Sequence, residues 1–217
     1  MKRRIVFEVA LISCIALFTS ACAPKDIGEA KAKEIGLAYI NQVFGANETE
    51  ATVTKEQVEC FSYQDGAIVS DGDASIATRL IYRVRVAKNE TQPLYETWVI
   101  GSSGKPFYSR QNELNIVLSD EQKQKAGALF AEERGWGEKH TAAVAELKDA
   151  CVKWVKQTLK EDSPVLLSAE TGENPHTTIT TTFVDSFYVV MRNGVIYQIT
   201  MQWPSMQVLS IVLVNEE

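Results

Sequence analysis

Few stretches of this 217-residue chain hold residue types able to do chemistry. Ser102-Ser103-Gly104-Lys105 has the Ser-x-x-Lys spacing of a serine nucleophile. That chemistry needs its serine at the start of a helix, with Ser-Asp-Asn and Lys-Thr-Gly partners elsewhere. Here Pro106 and the apolar runs on either side make a turn, and neither partner occurs. Gly101 to Lys105 is also too short for a phosphate loop. Asp71-Gly72-Asp73-Ala74-Ser75 alternates oxygen-bearing side chains like the opening of a calcium loop. Ile76 replaces its turn glycine, however, and Tyr82 its bidentate glutamate. His140 and His176 belong to different elements and match no metal-ligand spacing. No catalytic residue, metal site or cofactor is assigned on this reading, and the chain is expected not to be an enzyme.

The N-terminus is more informative. Lys2-Arg3-Arg4 precedes an apolar run from Val9 to Ala21, which closes on Ser20-Ala21-Cys22. The run is too short to cross about 30 Å of hydrocarbon, but it fits the core of an export signal. Thr19-Ser20-Ala21-Cys22 resembles a bacterial lipobox, with Thr19 where Leu is usual. The resemblance implies removal of residues 1–21 and a lipid-bearing Cys22 as the mature N-terminus. Leu11-Ile12-Ser13-Cys14 fits the first position better, yet it would leave apolar Ile15 to Phe18 at the start of the mature chain. Ala21-Cys22-Ala23 also permits ordinary cleavage to a soluble secreted protein. One acyl chain holds a protein marginally and two hold it stably. Lipidation at Cys22 would therefore fix the domain to the cell membrane, on its extracytoplasmic face.

Loss of residues 1–21 removes three of 22 basic and one of 28 acidic residues, leaving a net charge of −8. An acidic chain argues against a nucleic-acid partner. The remainder suits one large domain or two small ones, and two are expected behind a tether of residues 22–25: residues 26–118 and 119–217. Cys60 and Cys151 are too few for a disulfide framework. An oxidising location permits a bond between them, whereas the helical stripe around Cys151 suits a small core residue.

The elements follow from periodicity. Asp26 with Glu29 three residues on forms a capping-box pattern, opening a helix whose Ile27, Ala30, Ile35, Leu37 and Ala38 share a face and which ends at Gly45. Strand-like runs follow at 53–63, 79–87, 94–100 and 106–110. In the second of these, Leu80, Tyr82, Val84 and Val86 alternate with Arg79, Arg83 and Arg85, and Ile81 is the exception. The arginine row is either the wet face of a sheet or a contact for an anion or partner. The helix Ile27 to Leu37, with Gly36 where Ala is usual, and the hairpin Trp98-Val99-Ile100-Gly101-Ser102-Ser103-Gly104-Lys105-Pro106 resemble the PepSY domain over residues 26 to 112. The segment Asp65 to Ser75 is longer than the family's compact pattern. The resemblance implies a non-catalytic extracytoplasmic domain that restrains peptidases or serves as an accessory binding module.

The second half repeats the order helix then sheet. Ser119-Asp120 caps a helix to 134, Gly135-Trp136-Gly137 breaks it, and another runs over 138–160 with an apolar stripe through Val144, Leu147, Cys151, Trp154, Val155 and Thr158. Strands are expected at 177–191, 195–203 and 206–214, with Asn193-Gly194 as a two-residue turn and Pro204 at a turn or bulge. The fold class expected is α+β, two helix-on-antiparallel-sheet halves of PepSY-like and cystatin-like or NTF2-like layout. The function expected is a membrane-anchored, non-catalytic binding or accessory module with a protein partner. The alternative is a small-ligand-binding or hydrolytic lipoprotein using a cleft in the C-terminal half, near Tyr188, Tyr197 or Trp203.

Overall fold

A computed structural model describes residues 26–59, 63–64, 67–68, 78–89, 92–130, 138–167 and 182–215. Among these residues the fold is α+β with three α-helices, α1 (Glu29–Phe44), α2 (Asp120–Phe130) and α3 (Glu138–Trp154). The strands are β1 (Thr52–Glu59), β2 (Tyr63–Gln64), β3 (Ala67–Ile68), β4 (Thr78–Asn89), β5 (Gln92–Ile100), β6 (Pro106–Gln111), β7 (Val165–Leu167), β8 (Phe183–Val190), β9 (Ile196–Trp203) and β10 (Gln207–Leu213). β2 and β3 form a small ribbon of their own. The other eight make one antiparallel sheet in the order β1-β4-β5-β6-β10-β9-β8-β7. Each half of the chain contributes four neighbouring strands, and they join where β6 pairs with β10. That junction gives each half a partner for a strand that would otherwise be an open edge.

The register fixes which residues face the helices. Val53, Val84, Thr97, Ser109, Ile211, Ile199 and Phe187 lie opposite one another across seven strands. All but Val53 are buried. Thr97 and Ser109 are polar but bond to each other through their hydroxyls at 2.8 Å, so neither is left unsatisfied in the core. α1 packs over one half of this face, where Ala32 meets Tyr82, Val84 and Val99. α3 and the π-helical turn that continues it, Val155–Leu159, pack over the other, where Leu147, Cys151 and Val155 meet Phe187, Ile199, Met201 and Trp203. The stripe expected on α3 is therefore its core face. The alternation expected in β4 is likewise observed, and the strand expected at 195–203 forms as β9, with Ile199, Met201 and Trp203 on its core side.

Three local expectations change. The buried residues of α1 are Ala32, Gly36, Ile40 and Val43, not the broader Ile27 to Ala38 face. The helix lies so close to β4 that a Cβ on Gly36 would stand 2.6 Å from Val84 Cβ. The capping box at its start is not formed, because the Asp26 carboxylate is drawn to the sheet. It accepts from Lys55 Nζ at 2.8 Å, from the Tyr82 hydroxyl at 2.5 Å and from the Gly28 N–H at 3.0 Å. Lys55 above all, then Tyr82 and Gly28, hold its pKa down at about 2. A reciprocal capping box occurs instead at α2, where the Gln122 N–H donates to Ser119 Oγ and the Ser119 N–H to Gln122 Oε1. Finally, the β8–β9 turn is longer than two residues. The Gly194 N–H donates to Met191 O, and Gly194 alone in the turn takes a positive φ, of 85°.

Candidate functional site

The helix-bearing face of the sheet is taken up by packing with α1 and α3, and the other face carries most of the sheet's charged side chains. One residue along from the core row, Thr52, Arg85, Glu96, Arg110, Ser210, Thr200 and Ser186 lie opposite one another on that second face, polar throughout. The next row on the same face, Thr54, Arg83, Trp98, Tyr108, Val212, Gln198, Tyr188 and Leu167, crosses all eight strands and carries three aromatic rings. Ile81 and Ile100 pair beyond it and are buried. Among the described residues, the core contacts of α1 and α3 come from the opposite face.

The centre of the second face is Glu96, only 1% exposed. Its Oε1 accepts from Arg85 Nε at 3.2 Å and Trp98 Nε1 at 3.0 Å, with Arg83 Nε 3.5 Å away. Its Oε2 accepts from Arg110 Nε at 2.9 Å, with Arg110 Nη2 2.8 Å away. Burial alone would raise the Glu96 pKa, but the hydrogen bonds from Trp98, Arg85 and Arg110 outweigh it and hold the group below its ordinary value. Glu96 therefore stays ionised and fixes the guanidiniums in place. Arg83 also reaches Glu56 at 3.2 Å, and its guanidinium carbon lies 4.5 Å from the centre of the Trp98 ring. Tyr108 and Phe107 pack on the same indole at 4.9 and 5.8 Å. The product is a rigid arginine and aromatic surface in which three guanidiniums meet two carboxylates. Such a surface offers planar, bidentate donors and ring faces, which are common anchors of protein interfaces.

A groove of about 500 Å³ opens beside it, lined by Pro93, Glu96, Arg110, Asn112, Glu113 and Leu114 among others. A 3₁₀ turn, Glu113–Asn115, forms its rim. The Asn112 side chain accepts from the Leu114 N–H, and Asn115 Nδ2 donates to Leu94 O at 2.8 Å, so the turn is firmly held. It displays Leu114 at 78% exposure.

The expected arginine row is thus partly gathered. Arg83 and Arg85 converge on Glu96, and Arg79 stands opposite Val58 further along β4. Glu96 and Arg110 were missed from sequence, although an acidic residue inside the apolar run 94–100 and opposite an arginine row is the signal that would have found the first. Tyr188, Tyr197 and Trp203 do not converge: Tyr188 is on the second face, Tyr197 is on the helix side, and Trp203 is buried in the core. Ser102 and Ser103 sit exposed in the β5–β6 turn. Cys151 is a free, fully buried thiol whose pKa burial pushes up to about 12. His140 packs on Phe183 at 5.0 Å, and burial lowers its pKa against the pull of Asp185. Cys22, Cys60, His176, Asp71 and the Gly135-Trp136-Gly137 break lie outside the described residues. Among those described, no group of acidic, histidine and cysteine side chains is arranged to hold a metal ion, and no helix is long and apolar enough to cross a membrane.

No family model matches the chain, and no curated protein matches it. Among solved structures, the Bacillus megaterium YpeB C-terminal domain aligns with 12% identity and a TM-score of 0.41. The alignment covers 87% of this chain and 64% of that one, so the chain spans less than two thirds of that domain.

Proposed function

We propose that this chain is a non-catalytic binding module, lipid-anchored through Cys22 on the extracytoplasmic side of a membrane, that engages a protein partner with the sheet face opposite α1 and α3. The observation that carries the reading is the arginine and aromatic surface around Glu96. A carboxylate that is 1% exposed and holds two arginines and an indole by hydrogen bonds is costly to bury, and what it fixes is an outward surface rather than a core. The export signal and lipobox-like junction at 19–22 support the anchor. The helix followed by an antiparallel β1-β4-β5-β6 meander supports a PepSY-like first half, and with it the narrower role of accessory to, or restraint on, a peptidase. The C-terminal space between α3 and the sheet is filled by Leu147, Cys151, Phe187, Met201 and Trp203, which favours a binding face over a ligand cleft there.

The test is cross-linking mass spectrometry on native membranes, with Cys22→Ser as the untethered control. A stoichiometric extracytoplasmic partner, weakened in the control, is the expected result. Cross-links only within the chain or to abundant neighbours would overturn the reading.

A further inference from the structure

We infer that the β5–β6 turn, residues 101–105, and the start of α1 form the membrane-facing end of the domain, with the sheet standing away from the lipid. This rests on the reading of Cys22 as the lipid anchor. The argument is one of reach. Both residues at the start of the described chain are tied to the sheet: Asp26 to Lys55 of β1 and Tyr82 of β4, and Ile27 through its N–H to Gly101 O at 2.9 Å. Ile27 also approaches the turn itself, its Cδ1 lying 3.8 Å from where a Cβ on Gly104 would be. Between Cys22 and Asp26 there are only four Cα-to-Cα steps, which at about 3.6 Å per residue reach at most about 14 Å. The headgroup layer alone is about 5–8 Å deep on each side of the hydrocarbon. This end of the sheet therefore cannot leave the lipid surface by more than a few water layers, however the tether is bent.

Strand direction then sets what lies at the other end. β6 runs from the turn to Gln111, and β10 runs antiparallel to it, so the 3₁₀ turn Glu113–Asn115 and the β9–β10 turn at Pro204 share the opposite end. Gln122 Nε2 donates to Pro204 O, which places the start of α2 there too. Six residues of strand at about 3.3 Å each separate the two ends by about 20 Å. The charges favour the upright arrangement. At the near end Lys31, Lys55 and Lys105 offset Asp26, Glu29 and Glu34, while at the far end Lys123 offsets only one of Glu113, Asp120 and Glu121. On the near end beneath β8, Lys160 and Arg192 offset Glu161 and Asp162, and the Arg192 N–H donates to Glu161. An acidic chain is repelled by anionic lipid, so the acidic end is driven outward. The second sheet face would then stand along the membrane normal, with the groove at Arg110 and Leu114 on its outer part.

The test uses the lipidated full chain with Cys60→Ser, reconstituted in phosphatidylethanolamine and phosphatidylglycerol vesicles containing a headgroup nitroxide lipid. A fluorophore is placed on Ser102→Cys or, separately, on Leu114→Cys; both sites are exposed and Cys151 is buried. The expected result is several-fold stronger quenching at residue 102 than at 114. Equal quenching, or stronger quenching at 114, with the lipid confirmed on Cys22 by intact mass, would overturn the orientation and leave the anchored-module reading standing. A mass without lipid would take the reading and the orientation down together.

Discussion

Glu96→Gln should destabilise the chain by about 2–3 kcal/mol at neutral pH, and the loss should shrink in acid. The substitution keeps the side chain's volume but replaces one of two acceptor oxygens with an amide nitrogen facing arginine donors. Removing one member of a buried ion pair costs about 3–5 kcal/mol, because the partner is left desolvated. Here the arginines are 26% to 52% exposed, so water re-solvates them in part and the lower end applies. The folded-state pKa of Glu96 is lowered from its ordinary 4.5, so as pH falls the unfolded chain takes up the proton first. The stability due to ionised Glu96 is therefore complete above pH 4.5 and is lost as pH drops through the lower folded value. Urea unfolding followed by tryptophan fluorescence measures this as a shift in midpoint at constant slope. A loss under about 0.5 kcal/mol, the range of an ordinary surface change, would refute the reasoning. So would a loss of equal size at neutral pH and well below the glutamate range.

Two further outcomes follow from the packing. Gly36→Ala gains about 1 kcal/mol in helix propensity, but its Cβ would meet Val84 at 2.6 Å, so overpacking of about 1–3 kcal/mol prevails; thermal unfolding should show a lower Tm, and an unchanged or raised Tm would mean that α1 lifts freely from β4. Cys151 should resist a thiol reagent in the native state at pH 8 and react fully in urea, since the thiol is buried and its pKa is pushed up to about 12; rapid native labelling of Cys151, located by peptide mass, would contradict the packing of α3.

Period-two alternation made β4 legible, because the strand buries one face and wets the other, and the apolar stripe of α3 was legible for the same reason at helical spacing. The buried face of α1 was not, since small residues, Ala32 and Gly36, make the close contact while larger apolar residues surround the helix. Asp26 read as a cap on local spacing alone; Lys55 and Tyr82, far away in sequence, supply its real partners. β7 was missed because three residues after a helix carry too little periodicity to register. At the site, the arginine row was visible in β4, but its meaning depended on register. Only the pairing of Arg85 with Glu96 and of Glu96 with Arg110 turns scattered charges on three strands into one cluster.

The central claim is that the sheet face opposite α1 and α3 is the binding surface. Photo-cross-linking in cells tests it most directly, with a photoreactive residue at Thr54 or Tyr188 on that face and at Lys31 or Lys148 on the helices as controls. Adducts to a partner from Thr54 and Tyr188, absent from Lys31 and Lys148, are the predicted result. Adducts from the helix positions alone would contradict it.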